Sequence, residues 1–368
     1  APIANNPSEI PAIHQLRRKL ETFHGVVKPN AIAEAWPHLS STDRWLRHAA
    51  RVAIESQPVD DWKNKVFTSN NPQATITGAV ALARMGSKEG QDQLIKSLLK
   101  VKFKNLQVQQ KLGLLRAYAL TFIRMGEPKE NLRQAIIKQL DPRLPAKEDD
   151  LNTELLRVLV YLKAPGIIEK GMALIERDEP NKLPEWQGEL LNRNKGYARA
   201  INKMINDYPP VQKLGYAFIL RNLKTAWTLD QRRTYISFLN SAAKHPGGNS
   251  YAKFLMNIRG QVLTELSKED RLALTDITGE DFNAKPKFKI TPPKGPGKMW
   301  TVKEASQFTH RGARKKADLK NGRNLFHAAA CASCHRFDGL GGDIGPDLSM
   351  VRTKFDDRYL LESIIEPS

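Results

Sequence analysis

Apolar residues recur with the period of an α-helix through most of this chain, and that recurrence limits what the chain can fold into. Leu151, Leu155 and Val158, for example, lie four and three positions apart, so they fall on one face of a helix. From about residue 13 to residue 274 there is no sustained alternation of apolar and polar residues, the pattern of a half-buried strand. We therefore expect an all-α body, in which each apolar stripe is covered by a partner helix.

Glycines interrupt this helical pattern at a regular spacing. Gly86, Gly126 and Gly166 lie forty residues apart, and the first two stand in nearly the same context, RMGSKE and RMGEPK. A period of about forty residues is typical of HEAT and armadillo repeats, in which two-helix units stack on their neighbours. We predict a HEAT/armadillo-like α-solenoid over residues 1–280. The alternative is a helical bundle without repeats, in which the three glycines coincide by chance.

Composition excludes several other classes of protein. The 368 residues are 40% hydrophobic and 26% charged, which is typical of a folded protein and not of a disordered one. No stretch of eighteen uncharged apolar residues occurs, so we expect no membrane span. The net charge of +19 predicts an anionic partner. No nucleic-acid-binding motif accompanies this charge, so we expect an acidic protein and no nucleic acid.

Residues 281–317 are rich in proline, glycine and lysine and predict a basic linker. Residues 282–325 contain twelve lysines and arginines but only two acidic residues, Glu304 and Asp318. A basic segment of this kind would steer an acidic partner toward the neighbouring part of the chain. The alternative is a solvated linker without a recognition role.

The chain contains two cysteines, Cys331 and Cys334, and His335 follows them directly. Cys-x-x-Cys-His is the attachment pattern of c-type haem, in which two thiols bond the porphyrin and the histidine is an iron ligand. A zinc half-site would need about two further ligands, and no other cysteine exists to supply them. A redox dithiol would follow a strand in a βαβ context, which this region lacks. We therefore predict one covalently attached haem c.

The surrounding residues 318–368 resemble a class I cytochrome c. Gly322 and Phe326 lie four apart on a predicted helix, similar to the small and aromatic pair on the first helix of those proteins. By the same resemblance, Pro346 would accept a hydrogen bond from Nδ1 of His335, and Phe337 and Leu348 would line the haem edge. The alternative for Phe337 and Leu348 is a place in the ordinary core of a small domain.

Four sequence words carry a more specific resemblance, to the planctomycete-type haem-binding domain family. In that family such a domain, with the helical segment before it, commonly follows a sugar-dehydrogenase-like propeller. The resemblance therefore implies a dehydrogenase partner or domain, and covalent haem attachment implies a periplasmic or otherwise exported location. The four words are GRNLF at 322–326, ACASCHRF at 330–337, GGDIGPDL at 341–348 and YLLESIIEPS at 359–368.

The family resemblance also implies a methionine as the sixth iron ligand, in a part of the domain that lies beyond Ser368. On this reading the haem domain is truncated in the present sequence. Within the sequence the candidate distal ligands are Met350, His310 and His327. Each has a more ordinary alternative: loop packing for Met350, a place on the same helix as the haem motif for His327, and a solvated surface side chain for His310.

These features together predict a c-type cytochrome module. It would carry single electrons between a dehydrogenase partner or domain and a downstream acceptor, with the helical repeat as a docking scaffold and without a substrate site of its own. The alternative is a helical-repeat interaction protein whose haem is a gas or redox sensor or a structural element. Direct catalysis of a peroxidase type would need a distal acid–base residue, and no motif indicates one.

Overall fold

The chain is mainly helical. A computed structural model describes residues 11–178, 209–245, 249–279, 289–309, 317–338, 340–342 and 344–367. Within these ranges the one sheet pairs two residues with two, so the predicted all-α class is confirmed. None of the helices in the described ranges combines the length and the apolar character needed to cross a membrane. The chain divides into two compact units, Ala1–Arg177 with Gly215–Ala226 and Asp178–Leu214 with Trp227–Ser368.

The first unit consists of helices joined by short turns. Among the described residues of this unit, four of the turns are 3-10 helices, at Trp36–Ser40, Lys88–Gly90, Phe103–Asn105 and Asp141–Arg143. A later helix, α11 (Val211–Leu220), adds its residues from Gly215 onward to this unit. The preceding α-helices of the described residues are α1 (Ala12–Glu21), α2 (Ala31–Ala35), α3 (Arg44–Glu55), α4 (Val59–Thr68), α5 (Pro72–Met85), α6 (Gln91–Lys100), α7 (Val108–Met125), α8 (Glu130–Leu140), α9 (Asp149–Tyr161) and α10 (Ile167–Glu176).

Local sequence explains where these helices begin and end. The Asn71 side chain accepts a hydrogen bond from the Ala74 N–H at the start of α5, with proline at the next position, a favourable pair for a helix N-terminus. Gly126 ends α7 with a φ of +97°, a backbone conformation that favours glycine. Gly86 directly follows α5, and Gly166 directly precedes α10. All three glycines of the forty-residue spacing therefore lie between helices.

Helices two places apart in the chain pack against each other in this unit. Helix α5 contacts α7, and α7 contacts α9, while α4 contacts α6 and α6 contacts α8. Hydrogen bonds join residues about forty positions apart, such as Arg124 Nη2 to the carbonyl of Arg84 at 3.2 Å and Gln139 Nε2 to that of Val101 at 3.1 Å. Successive helix pairs therefore lie side by side in this stretch. The assignment to the HEAT or armadillo class stays a prediction.

Apolar side chains from these helices form a continuous core. Trp62, Tyr118 and Leu155 are among the side chains with no exposed surface. Burial raises the pKa of Tyr118, and its hydroxyl donates to Gln139 Oε1 at 2.8 Å, which satisfies the buried polar group. The buried Asn152 side chain bonds the backbone N–H and carbonyl of Ala146.

The second unit has shorter helices and one small hairpin. Strands β1 (Arg336–Phe337) and β2 (Leu340–Gly341) are antiparallel, with Phe337 opposite Leu340. The helices of its described residues, apart from the start of α11, are α12 (Leu229–Ala242), α13 (Asn249–Glu265), α14 (Lys268–Ala273), α15 (Thr275–Thr278), α16 (Val302–Ser306), α17 (Leu319–Ala328), α18 (Cys331–Cys334), α19 (Val351–Lys354) and α20 (Asp357–Ile365).

Part of the range predicted as a linker is folded against the C-terminal segment. Thr301 and Glu304 form a capping box at the start of α16, and α16 contacts α20. Farther upstream, the backbone N–H and carbonyl of Thr291 both bond the Asn324 side chain of α17, at 2.8 and 2.7 Å. The composition of residues 281–317 predicts a plain linker, because composition shows neither the capping box nor the contact with Asn324. Residues 280–288 and 310–316 of this region lie outside the described residues.

Candidate haem-binding site

The two cysteines lie on a single helical turn that follows α17. Asp318 caps α17 by accepting a hydrogen bond from the Asn321 N–H at 2.9 Å. The chain then turns at Ala330, whose φ is +61°, and begins α18 at Cys331. Both thiols are free and exposed. The turn therefore presents two thiols three positions apart, the spacing that bonds to one porphyrin require.

A glycine-rich loop, residues 341–348, is fastened to the cysteine segment by backbone hydrogen bonds. The N–H groups of Gly342, Gly345 and Leu348 donate to carbonyls of the segment 332–336, each at 2.8 Å. Because these bonds join backbone to backbone, they hold the loop in one register against the segment. The loop thereby carries Pro346 to the side of His335.

His335 is oriented by that proline. Its Nδ1 atom lies 2.9 Å from the carbonyl oxygen of Pro346, the pair of atoms that the cytochrome resemblance joins. A carbonyl only accepts hydrogen bonds, so Nδ1 carries the proton and Nε2 has the free lone pair. A hydrogen bond of this kind fixes the ring and makes the ligating nitrogen more basic. The arrangement leaves Nε2 with a lone pair that is free to bind a metal.

Glycines permit the close approach of the loop to this histidine. A Cβ atom added to Gly345 would lie 2.6 Å from Cε1 of His335, and one added to Gly342 would lie 2.2 Å from the Ser333 carbonyl oxygen. Neither distance leaves room for a side chain. Sequence reasoning did not assign a role to Gly345, although the GGDIG run was a visible signal for a close backbone approach.

Phe337 and Leu348 occupy different positions beside the motif. Phe337 lies on β1, is 51% exposed, and its ring centroid is 6.1 Å from that of Phe326 on α17. Leu348 is half-buried, and its N–H bonds the Arg336 carbonyl. Their place at the haem edge stays a prediction.

The three candidate distal ligands lie in different segments of the chain. Met350 is half-buried and directly precedes α19, where its carbonyl accepts hydrogen bonds from Thr353. His327 is half-buried in the last turn of α17, with its ring edge-on to Phe326 at 6.0 Å. His310 lies outside the described residues. The choice among the three stays a prediction.

The C-terminal segment exposes much of its apolar surface. Among the described residues from 289 to 367, no apolar side chain is fully buried. Leu319 is 83% exposed, Ile344 73% and Ile364 76%. A high share of exposed apolar side chains in one segment is typical of a surface that binds an apolar partner. A porphyrin offers two apolar faces, so the thiols, the oriented imidazole and this apolar surface all fit a haem c.

Comparison with known proteins agrees with this fit. The family model for Cytochrome c matches residues 319–367. No curated protein matches the chain, and no solved structure matches it. The C-terminal segment is thus a cytochrome c-like haem domain. A domain of this family implies that the chain binds haem c and suggests a role in electron transfer.

Proposed function

We propose that the chain is a c-type cytochrome module that carries single electrons between a dehydrogenase partner or domain and a downstream acceptor. The main support is the hydrogen-bond distance of 2.9 Å between Nδ1 of His335 and Pro346 O, directly after two exposed thiols. That arrangement leaves Nε2 as a ligand. One haem, covalently attached through Cys331 and Cys334, belongs to the proposal, as does the planctomycete type of the domain.

Haem c, when bound, supplies one-electron exchange between ferric and ferrous iron. The residues of this chain have three tasks in that exchange. The thiols tether the porphyrin, His335 binds the iron through Nε2, and the Pro346 carbonyl keeps the imidazole in one tautomer and one orientation. None of these groups needs to gain or lose a proton as the iron changes its oxidation state, which suits rapid electron transfer.

Basic side chains near the domain would favour an acidic redox partner. Lys289, Lys294 and Lys303 carry positive charge in the described part of the basic range, while Arg314, Lys315 and Lys316 lie outside it. Exposed charges raise association rates with an oppositely charged protein, and salt screens them over about 8–10 Å. The proposal therefore includes a partner whose association slows as ionic strength rises.

The helical region would serve as the docking scaffold in this proposal. Successive helix pairs lie side by side between α4 and α9, which is consistent with a HEAT-like solenoid, and such folds bind partners along an extended surface. Because haem c is attached outside the bacterial cytoplasm, a periplasmic or otherwise exported location is also proposed. Cell fractionation of the source organism tests the location.

Covalent attachment is tested by acid–acetone extraction followed by intact mass measurement. We expect the haem to stay on the polypeptide and to add the mass of one haem per chain. Cys331→Ala should leave one thioether and shift the pyridine haemochrome band, whereas Ser333→Ala, on the same turn, should leave it unchanged. Haem that leaves in the extract, or an unshifted band in Cys331→Ala, contradicts the proposal.

Electron transfer is separated from a sensor role by reduction kinetics and ligand binding. We expect chemical reductants and oxidants to cycle the iron rapidly and reversibly. Tight binding of carbon monoxide to the ferrous protein, with a change in the exchange rates of α-helical amides, would favour the sensor alternative instead.

A further inference from the structure

Helix α3 presents a row of basic side chains outside the haem domain. Arg44, Arg47, His48 and Arg51 are spaced three, four and seven positions from the first, which places them on one helical face. The opposite face of α3 is buried in the core through residues such as Leu46. The four basic side chains line one cavity of about 240 Å³.

The remaining walls of this cavity are uncharged. They come from α5 and α7, two later helices of the same unit, and they offer amide and hydroxyl groups as well as apolar surface. None of the lining residues is acidic. The residues of these walls are Gln73, Ile76, Thr77 and Val80 on α5 and Gln109 and Gly113 on α7.

Two of the arginines have no carboxylate partner within the described residues. Arg47 donates from Nη1 to the backbone carbonyl of Ser41 at 2.5 Å, and Arg44 stacks its guanidinium 4.3 Å above the Trp45 ring. The neighbouring acid, Asp43, uses its carboxylate to accept N–H groups at the start of α3. Within the part of the chain that the structure describes, no ion pair therefore neutralises the positive charges of Arg44 and Arg47.

The third arginine shares its acid with another guanidinium. Arg51 pairs with Glu55, and the same Glu55 oxygen lies 3.0 Å from Nε of Arg84. Glu55 is only 8% exposed, and the Arg51 side chain is 15% exposed. One carboxylate is thus shared by two guanidinium groups, and the region around the cavity has a net positive charge. Salt screens such half-buried charges less than exposed ones.

We propose that this cavity binds a small dianion, with a phosphoryl group or two carboxylates, through Arg44, Arg47 and Arg51. Guanidinium groups form paired, directed hydrogen bonds to phosphate and carboxylate oxygens. The Gln109 side chain also lines the cavity and offers an amide donor, while the Gln73 amide nitrogen donates to Thr77 Oγ1 at 3.1 Å. The site uses no residue of the cytochrome c-like domain and is independent of haem.

His48 is a built-in reporter for this site. Burial lowers the pKa of His48, and the charge of Arg51 lowers it further; His24 and Arg84 act in the same direction, while Glu55 raises it. A dianion in the cavity favours the imidazolium form, so the pKa of His48 should rise when the site is filled. By linkage, the dianion should bind more tightly as the pH falls through the titration of His48.

Calorimetric titration of the full chain with inorganic phosphate, sulfate and succinate tests the proposal. We expect saturable binding of at least one dianion, and the preference between phosphate and succinate identifies the ligand class. Arg47→Gln should weaken binding roughly tenfold to a hundredfold, the range for loss of a hydrogen bond to a charged group. Arg143→Gln removes the same charge from an exposed turn elsewhere in the unit and should change binding less than twofold.

The pKa of His48 is measured by NMR with and without sulfate, whose charge is constant between pH 5 and 8. A rise in the wild type that is absent in Arg47→Gln supports the site. If Arg47→Gln folds poorly, as judged by circular dichroism, the exposed Arg44→Gln repeats the test. The proposal is wrong if no dianion saturates the chain at millimolar concentration, if Arg143→Gln weakens binding as much as Arg47→Gln, or if sulfate leaves the pKa of His48 unchanged.

Discussion

The helical region of the first unit and the C-terminal segment 319–367 differ in how they bury apolar side chains. In the first, Trp62, Tyr118 and Leu155 have no exposed surface. In the C-terminal segment, no apolar side chain of the described residues is fully buried. A single core in a chain of fewer than about 70–80 residues rarely supplies more than about 3–5 kcal/mol, so small domains commonly add a disulfide, a metal or a comparable contact. The helical region therefore supplies its own core, whereas we expect the cytochrome c-like segment to gain one from its cofactor.

The largest expected effect comes from removing the two thiols. In the double variant Cys331→Ala, Cys334→Ala, backbone amides of residues 319–367 should exchange with solvent almost without protection, because the porphyrin no longer covers their apolar side chains. Amides of α5, α7 and α9 should keep their slow exchange. Hydrogen exchange with mass spectrometry compares the two regions in one sample.

Ser333→Ala is the matched control, since it changes the same helical turn without removing a thiol. It should preserve protection in both regions. Equal protection of 319–367 in the double variant and the wild type would show that this segment has a sufficient core of its own, and the contrast between the two regions would then disappear.

In the haem-free chain, changing one leucine to alanine should lower the free energy of unfolding much more in the helical region than in the C-terminal segment. Leu155→Ala empties a fully buried site on α9 and should lower the free energy of unfolding by about 2–5 kcal/mol. Leu319→Ala removes the same atoms from a side chain that is 83% exposed and should change it by less than about 0.5 kcal/mol. Urea denaturation followed by circular dichroism measures both, and similar values for the two variants would contradict the comparison.

Substitution at Gly345 tests how His335 is held. The Cβ of Gly345→Ala would lie 2.6 Å from Cε1 of the imidazole, so the ring must move away from Pro346, at a cost of about 1–3 kcal/mol. We expect the haem to stay covalently attached while the electron paramagnetic resonance spectrum of the ferric iron changes.

Gly215→Ala is the corresponding change in α11, where an added Cβ meets nothing within 4 Å. It should leave the spectrum unchanged and stabilise the helix by up to about 1 kcal/mol. An identical spectrum in Gly345→Ala would mean that the histidine is not confined by this loop.

The smallest effects concern two exposed carboxylates, one in each unit. A hydrogen bond from Lys298, followed by those from Thr301, lowers the pKa of Glu304 to about 2, and Arg133 with Gln134 lowers that of Glu130 to about 2. Because both values are lower in the folded state than the ordinary 4.5, their stabilising contribution is complete above that value and is lost as the pH falls toward 2.

NMR titration of the two carboxyl groups measures these pKa values. Lys298→Met should raise the pKa of Glu304 toward 4.5 and leave Glu130 unchanged. A pKa near 4.5 for Glu304 in the wild type would mean that the capping box with Thr301 does not stabilise the folded segment that precedes α17.

Much of this protein follows from its sequence alone. The helical class depends on apolar spacing within single helices, as in Leu151, Leu155 and Val158, and such local spacing is visible in any one segment. The haem motif is equally local, since Cys331, Cys334 and His335 lie within five residues. Where the signal is contained in a few neighbouring residues, the sequence predicts it well.

Other features depend on residues that are far apart in the chain, and only the tertiary structure decided them. Asn324 bonds Thr291 across 33 positions, and the cavity on α3 has walls from α5 and α7. The spacing of the arginines on α3 is visible in the sequence. The sequence does not show which helices lie opposite them or whether acidic side chains neutralise their charges. The free energy of such contacts comes from packing that brings distant elements together, and no local pattern of residues encodes that pairing.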